Sequence, residues 1–180
     1  AIAGVLVCAG CEYEVPVTPQ HTVAIDPAVL GLWEEIPKDG EQESQTERML
    51  VLKYSDTEYL VHYPMSKDSM YFRAYPIKLE GLACVQVQFL GTAKESAKEA
   101  DRKYHVVTYN LQKDALEIKT LNTEVVVATL SSSEELKAQI LKNRENKELF
   151  HIHPLIHKPI GRNQGIMDGC MDGNYTLSVP

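Results

Sequence analysis

The residues of this chain best suited to chemistry are cysteines and histidines near its two ends. Cys8 and Cys11 are separated by two residues, the spacing of a redox pair or of half a zinc site. On a strand, His151 and His153 project to the same face, which suits two imidazole ligands, with His157 nearby. A proline interrupts the pattern before His157, and no acidic residue or cysteine lies beside the cluster. We therefore interpret these histidines as exposed side chains and predict no metal site.

The sequence lacks the arrangements that are typical of enzymes. It contains no Gly-x-Ser-x-Gly elbow, no phosphate-binding glycine loop and no His-Glu-x-x-His motif. Glu34 and Glu35 are neighbours on a predicted strand and face opposite ways, so they form no carboxylate pair. Cys84 lies in an apolar strand, where an inert buried thiol is expected. We predict a non-enzyme without a cofactor. The other histidines are isolated in sequence and predicted to be surface or capped residues: His21, His62 and His105.

The charge of the chain argues against a nucleic-acid partner. Lysine and arginine number 18 against 25 acidic residues, which gives a net charge of −7 and a pI near 5.4. Proteins that bind nucleic acid carry clustered positive charge, whereas the basic residues here are interleaved with acidic ones. No apolar run reaches the roughly 18–20 residues of a membrane-spanning helix. The length of 180 residues suits one domain with tails.

Short segments with strand character follow the single tryptophan, separated by turn signals every 8–12 residues or so. Val85, Val87 and Phe89 alternate with glutamines, so that one face is apolar and the other polar. Consecutive hairpins without intervening helices predict an antiparallel meander, and closure into a barrel hides its edges. We therefore predict a mostly β fold, a meander closed into a barrel of about eight strands.

The segments around the barrel differ in composition. Ser132 and Glu135 form a capping box, which predicts one amphipathic helix near 133–145 after the strands. Residues 12–28 contain three prolines and predict an extended tether. The predicted domains are a signal-peptide or lipobox remnant, the tether, the barrel with its helix, and a glycine-rich flexible tail: 1–11, 12–28, 29–158 and 159–180.

Gly31-x-Trp33 at the head of the first strand, with the meander and the late helix, resembles the lipocalin family, in particular the small lipocalin-like domains of bacterial envelope lipoproteins. The resemblance implies a barrel that holds a small apolar or amphipathic molecule. In that family the last strand brings an arginine over the tryptophan, and the basic residues nearest to that place here are Lys158 and Arg162. The family's Thr-Asp-Tyr motif is absent.

Ala9-Gly10-Cys11 follows an uncharged apolar stretch and resembles the lipobox of bacterial lipoproteins, with Cys8 where leucine is usual. The resemblance implies that Cys11 carries a lipid and anchors the protein to a membrane of the bacterial cell envelope. Two other interpretations stay open, a plain apolar N-terminal segment and a redox or metal pair of Cys8 and Cys11.

The apolar face of the predicted strands supplies the candidate lining of the barrel. Leu50 and Leu52 are assigned to that face together with Tyr54. We predict a non-catalytic protein that binds a small lipophilic or amphipathic molecule inside the barrel. The alternative is an envelope interaction or assembly protein whose barrel is filled by side chains and whose loop from Asp39 to Glu47 contacts a protein partner. The candidate ligand-binding residues are Trp33, Tyr54, Tyr59, Tyr63, Phe72, Val87, Phe89 and Tyr109.

Overall fold

A computed structural model describes residues 12–37, 46–65, 69–113, 115–151 and 155–160 of the protein, with the backbone alone at 155–157. Eight antiparallel strands close into a barrel, each paired with the next along the chain. The predicted fold is confirmed. The strands are β1 (Gly31–Glu35), β2 (Arg48–Lys53), β3 (Tyr59–His62), β4 (Met70–Leu79), β5 (Leu82–Thr92), β6 (Tyr104–Gln112), β7 (Ala115–Thr120) and β8 (Leu155–Pro159).

The last strand closes the barrel by pairing with the first. Trp33 of β1 lies opposite Pro159 of β8, and the backbone N–H of Ile160 donates to the carbonyl of Leu32 at 2.8 Å. Because an up-and-down barrel alternates its connections, the short connections after β2, β4 and β6 share one end with the start of β1. The long connections begin and end at the other end of the barrel, which we call the loop end: 36–47, 63–69, 93–103 and 121–154. The last of them includes a helix that packs along the outer wall.

The side chains inside the barrel form the first of two apolar cores. Residues of one parity point inward on each strand, as the period of two requires. Trp33, Val85 and Leu116 are buried there. Gly31 stands at the start of β1 with φ +130°, a conformation that residues with a Cβ rarely adopt.

The second core covers the outer wall of β4, β5 and β6. This wall is apolar because the outward parity of those strands also carries large side chains, such as Tyr75, Ile77 and Val106. One helix, α1 (Ser133–Lys142), buries Leu136 and Ile140 against it. The helix begins as predicted, since Ser132 caps it by accepting from the N–H of Glu135 at 3.2 Å. Within the described part of the chain, no helix combines the length and the apolar character that crossing a bilayer requires.

The segment predicted as a tether is packed against this same outer wall. We call residues 12–24 the N-terminal arm. Tyr13 and Val17 are buried in the outer core, and the side-chain oxygen of Gln86 accepts from the N–H of Val17 at 2.6 Å. These contacts dock residues 12–24 on the apolar outer wall, so this part of the predicted tether is not a free spacer. The predicted segment 1–11 and all of the predicted tail after Ile160 lie outside the described residues.

Candidate functional site: the barrel cavity

The inner core lines a cavity of about 100 Å³ whose wall is almost entirely apolar. Five of the eight predicted binding residues line it: Tyr59, Tyr63, Phe72, Val87 and Tyr109. They come from β3, from β4, β5 and β6, and from the residue directly after β3. The structure therefore brings together side chains that are up to 50 positions apart in sequence, because the closed sheet turns one parity of every strand inward.

Two further predicted residues belong to the interior without being part of the cavity wall. Trp33 is 1% exposed, and its indole N–H donates to the carbonyl of Val29 at 2.9 Å. Phe89 lies opposite Phe72 in the β4–β5 register, with their ring centroids 5.7 Å apart. Lys158 forms an ion pair with Glu34 at 3.3 Å on the outer face, so it is not the cation expected over Trp33. Arg162 lies outside the described residues.

Tyr54 does not lie in the cavity. Its side chain is 68% exposed, directly after β2, and Leu52 is 45% exposed. The inward residues of β2 are instead Met49 and Val51. The prediction chose the wrong parity because β2 is apolar at both parities, so alternation alone does not fix which face turns inward.

His105 is a lining residue that the sequence interpretation missed. It was predicted to be a surface or capped residue, but it is 7% exposed and faces the cavity on β6, as does Thr120 on β7. The signal was present, because His105 shares the parity of Tyr109, which was already assigned to the lining. With Tyr63, His105 and Thr120 are the lining residues with polar groups nearest the loop end.

A short 3-10 helix, Pro27–Val29, closes the opposite end of the barrel, which we call the plugged end. Asp26 caps this helix by accepting from the N–H of Ala28 at 2.9 Å. The hydroxyl of Tyr59 accepts from the N–H of Asp26 at 2.7 Å, and the hydroxyl of Tyr109 donates to the Asp26 carboxylate at 3.3 Å. Burial raises the pKa of both tyrosines, so both hydroxyls stay protonated. The interior hydroxyls therefore hold the plug in place.

A cluster on the outer wall connects the N-terminal arm to the barrel. Glu58 is 6% exposed, and its carboxylate accepts from Arg73 Nε at 3.0 Å and from Arg73 Nη2 at 2.5 Å. It also contacts Nδ1 of His21, whose ring stacks on Tyr75 with centroids 3.6 Å apart. The hydrogen bonds from Arg73, and that from His21, lower the pKa of Glu58 against the opposing effect of burial. The cluster holds the arm through the contact of His21 with Glu58 and its stacking on Tyr75, in addition to the hydrogen bonds that Gln86 accepts from the arm.

The lining of the cavity is suited to apolar contacts rather than to metal binding. Among the described residues, no group of three histidine, cysteine or acidic side chains is placed to hold a metal ion. The backbone N–H of His151 donates to the carbonyl of Thr120, whereas His153 and the side chain of His157 lie outside the described residues.

Comparison with protein-family models, curated proteins and solved structures found no match.

Proposed function

We propose that this protein is a non-catalytic lipoprotein of the bacterial cell envelope that binds a small hydrophobic or amphipathic ligand inside its barrel. The observation that carries the proposal is the apolar cavity of about 100 Å³ between the plug and the loop end. The lipobox-like Ala9-Gly10-Cys11 supports the address, with Cys11 as the lipid anchor. The Gly31-x-Trp33 pattern and the eight-stranded meander support a likeness to lipocalin-like domains.

The size of the cavity sets the size of the group that enters it. An engineered apolar cavity of about 150 Å³ binds benzene, so a space of about 100 Å³ suits one small ring or the end of an acyl chain. Burying roughly 150 Å² of apolar surface at about 25 cal/mol per Å² supplies roughly 4 kcal/mol, which corresponds to a Kd of about 1 mM. Tighter binding requires a ligand that extends beyond the cavity toward the loop end.

The test is thermal stabilisation by benzene, which has no polar group to bind elsewhere. At about 10 mM benzene and a Kd of about 1 mM, the added stability is roughly 1.4 kcal/mol, or about 3–6 °C in Tm for a chain of this size. Ala74→Leu adds volume to the lining and should abolish the shift. Ala83→Leu is the matched control, because Ala83 is exposed at the start of β5 and is not one of the residues that line the cavity. Equal shifts in the two variants would refute binding inside the barrel.

A second candidate function is an envelope interaction or assembly protein. The exposure of Leu52 and Tyr54 on the outside of the barrel favours it, because apolar side chains on a surface mark protein contacts when they are contiguous. The loop from Asp39 to Glu47 that was assigned to such a contact falls largely outside the described residues, since 38–45 are not described. Pull-down of a partner from envelope extract that is lost in Tyr54→Ser, with no benzene shift, would favour this candidate over the first.

A further inference from the structure

The N-terminal arm is fixed to the loop end of the barrel only two positions after Cys11. Tyr13 is fully buried and exchanges two backbone hydrogen bonds with Tyr104, the first residue of β6, at 2.8 and 2.9 Å. The hydroxyl of Tyr13 donates to the carbonyl of Val126 at 2.8 Å, in the connection between β7 and β8. Both contacts belong to the loop end. The chain therefore joins the barrel at the loop end, two residues after Cys11.

This short distance changes what a lipid on Cys11 would do. Two extended residues span at most about 7 Å, so the anchored cysteine stays within that distance of Tyr13. A free tether of residues 12–28 would instead separate the lipid from the barrel by roughly 20–25 Å and allow any orientation. Because the arm is docked, a lipid on Cys11 holds the barrel directly against the bilayer by its loop end.

The loop end also carries apolar side chains that are exposed to solvent. Ile36, Met65 and Val127 are 40%, 38% and 51% exposed, and each belongs to a different connection of the loop end. Apolar side chains beside a lipid anchor gain free energy by entering the boundary between headgroups and acyl chains. The connection 93–103 between β5 and β6 holds four basic and three acidic residues, whereas 36–47 holds one basic and four acidic residues. The lipid anchor and the apolar contacts, rather than attraction to anionic lipids, would therefore hold this end to the bilayer.

We propose that the loop end of the barrel faces the lipid bilayer, so that an apolar ligand passes between the acyl-chain region and the cavity without crossing bulk water. This inference rests on the proposed function, since it takes Cys11 as the lipid anchor and the cavity as the binding site. The plugged end closes the other route, because Asp26 and the 3-10 helix are hydrogen-bonded to the interior tyrosines. The bilayer is then both the anchor surface and the source of the ligand.

The orientation can be measured with tryptophan quenched by brominated lipids. Val127→Trp places an indole at the loop end, and Tyr54→Trp places one near the plugged end, both at exposed positions. The lipidated full chain is reconstituted in vesicles of phosphatidylethanolamine and phosphatidylglycerol with bromine on the acyl chains. The parent protein, which has only the buried Trp33, gives the baseline. We expect the emission added by Val127→Trp to fall by about half or more, as for an indole at the membrane interface, while that added by Tyr54→Trp stays unchanged.

Quenching of the Tyr54→Trp indole alone, equal quenching of both, or quenching of neither would overturn the inference. Coupling Cys11 to a maleimide lipid in vitro separates this result from the proposed function. Cys8→Ser and Cys170→Ser remove competing thiols, and Cys84 is buried. If cells do not lipidate Cys11, or benzene does not bind, the proposed function fails, whereas the coupled protein still reports which end faces the bilayer.

Discussion

Replacing Glu58 with glutamine removes the carboxylate that pairs with Arg73 and contacts His21 of the N-terminal arm. The carboxylate accepts two hydrogen bonds from Arg73 and contacts His21, and the residue is 6% exposed. Glutamine keeps the shape of the side chain and one acceptor oxygen. The substitution therefore tests the charge and leaves the packing of the wall in place.

The magnitude follows from the burial of the partners. Removing one member of a fully buried ion pair costs about 3–5 kcal/mol, and a hydrogen bond to a charged group contributes about 1.5–3 kcal/mol. The Arg73 side chain is 38% exposed, so water screens the pair and hydrates the cation that is left behind. We expect Glu58→Gln to lower the free energy of unfolding by about 2 kcal/mol at pH 7, which is less than the loss of a fully buried ion pair and within the range for one hydrogen bond to a charged group.

The expected pH dependence has a definite sign. The pKa of Glu58 in the folded protein lies below its ordinary value of 4.5, so its contribution is complete above that pH and is lost as the pH falls through the folded pKa. The difference between the parent and Glu58→Gln should therefore shrink as the pH falls below 4.5. A difference that grows with acidity below that pH would contradict the assigned direction.

Urea unfolding followed by Trp33 fluorescence measures the stability, and hydrogen exchange at the Val17 amide measures the docking of the arm. Asp56→Asn is the matched control, because the nearby Asp56 side chain is 90% exposed in its pair with Lys53 and exposed pairs often contribute nothing measurable. The reasoning is wrong if Glu58→Gln and Asp56→Asn change stability equally, or if the Val17 amide exchanges no faster in Glu58→Gln than in the parent.

Three other substitutions or reactions test separate contacts. Gln86→Leu should lower the free energy of unfolding in urea by about 1–3 kcal/mol, because it leaves the buried backbone N–H of Val17 without an acceptor. Gln88→Leu, two positions along the same strand, should lower it by less than half as much. Equal losses in the two variants would contradict the role of Gln86. Gly91→Ala should lower Tm more than Gly81→Ala, since a Cβ at Gly91 would overlap the backbone of residues 95–97 whereas one at Gly81 meets nothing within 4 Å; the reverse order would refute that packing. Burial raises the pKa of the Cys84 thiol to about 12, so a Cys8→Ser, Cys11→Ser, Cys170→Ser variant should not react with Ellman's reagent at pH 8 until urea is added, and rapid native reaction would show an open wall.

The fold was predictable because its signals were local. The alternation of Val85, Val87 and Phe89 with glutamines predicted a strand with one apolar face, and Val85 and Val87 line the cavity. Ser132 and Glu135 predicted the start of the helix, and the capping hydrogen bond is present. The helix ends at Lys142, short of the predicted 145, because its last turn closes at Asn143.

The arm and the lining of β2 were not predictable from single segments. Arg48–Lys53 is apolar at both parities, and only its pairing with β1 and β3 turns Met49 and Val51 inward. The docking of the arm depends on an outer wall whose residues come from three strands. The sequence of β4 did indicate a second core, because its residues are apolar on both faces of the strand. A strand of that kind needs other parts of the chain packed against each face.

The central claim is that the barrel encloses an apolar hollow accessible to small molecules. A crystal of the protein pressurised with xenon tests it directly, because xenon occupies apolar cavities and scatters strongly. The account predicts a xenon peak inside the barrel, bounded by Val85, Val107 and Phe72, that disappears in Ala74→Leu. A barrel without such a peak, with its interior filled by its own side chains, would contradict the account.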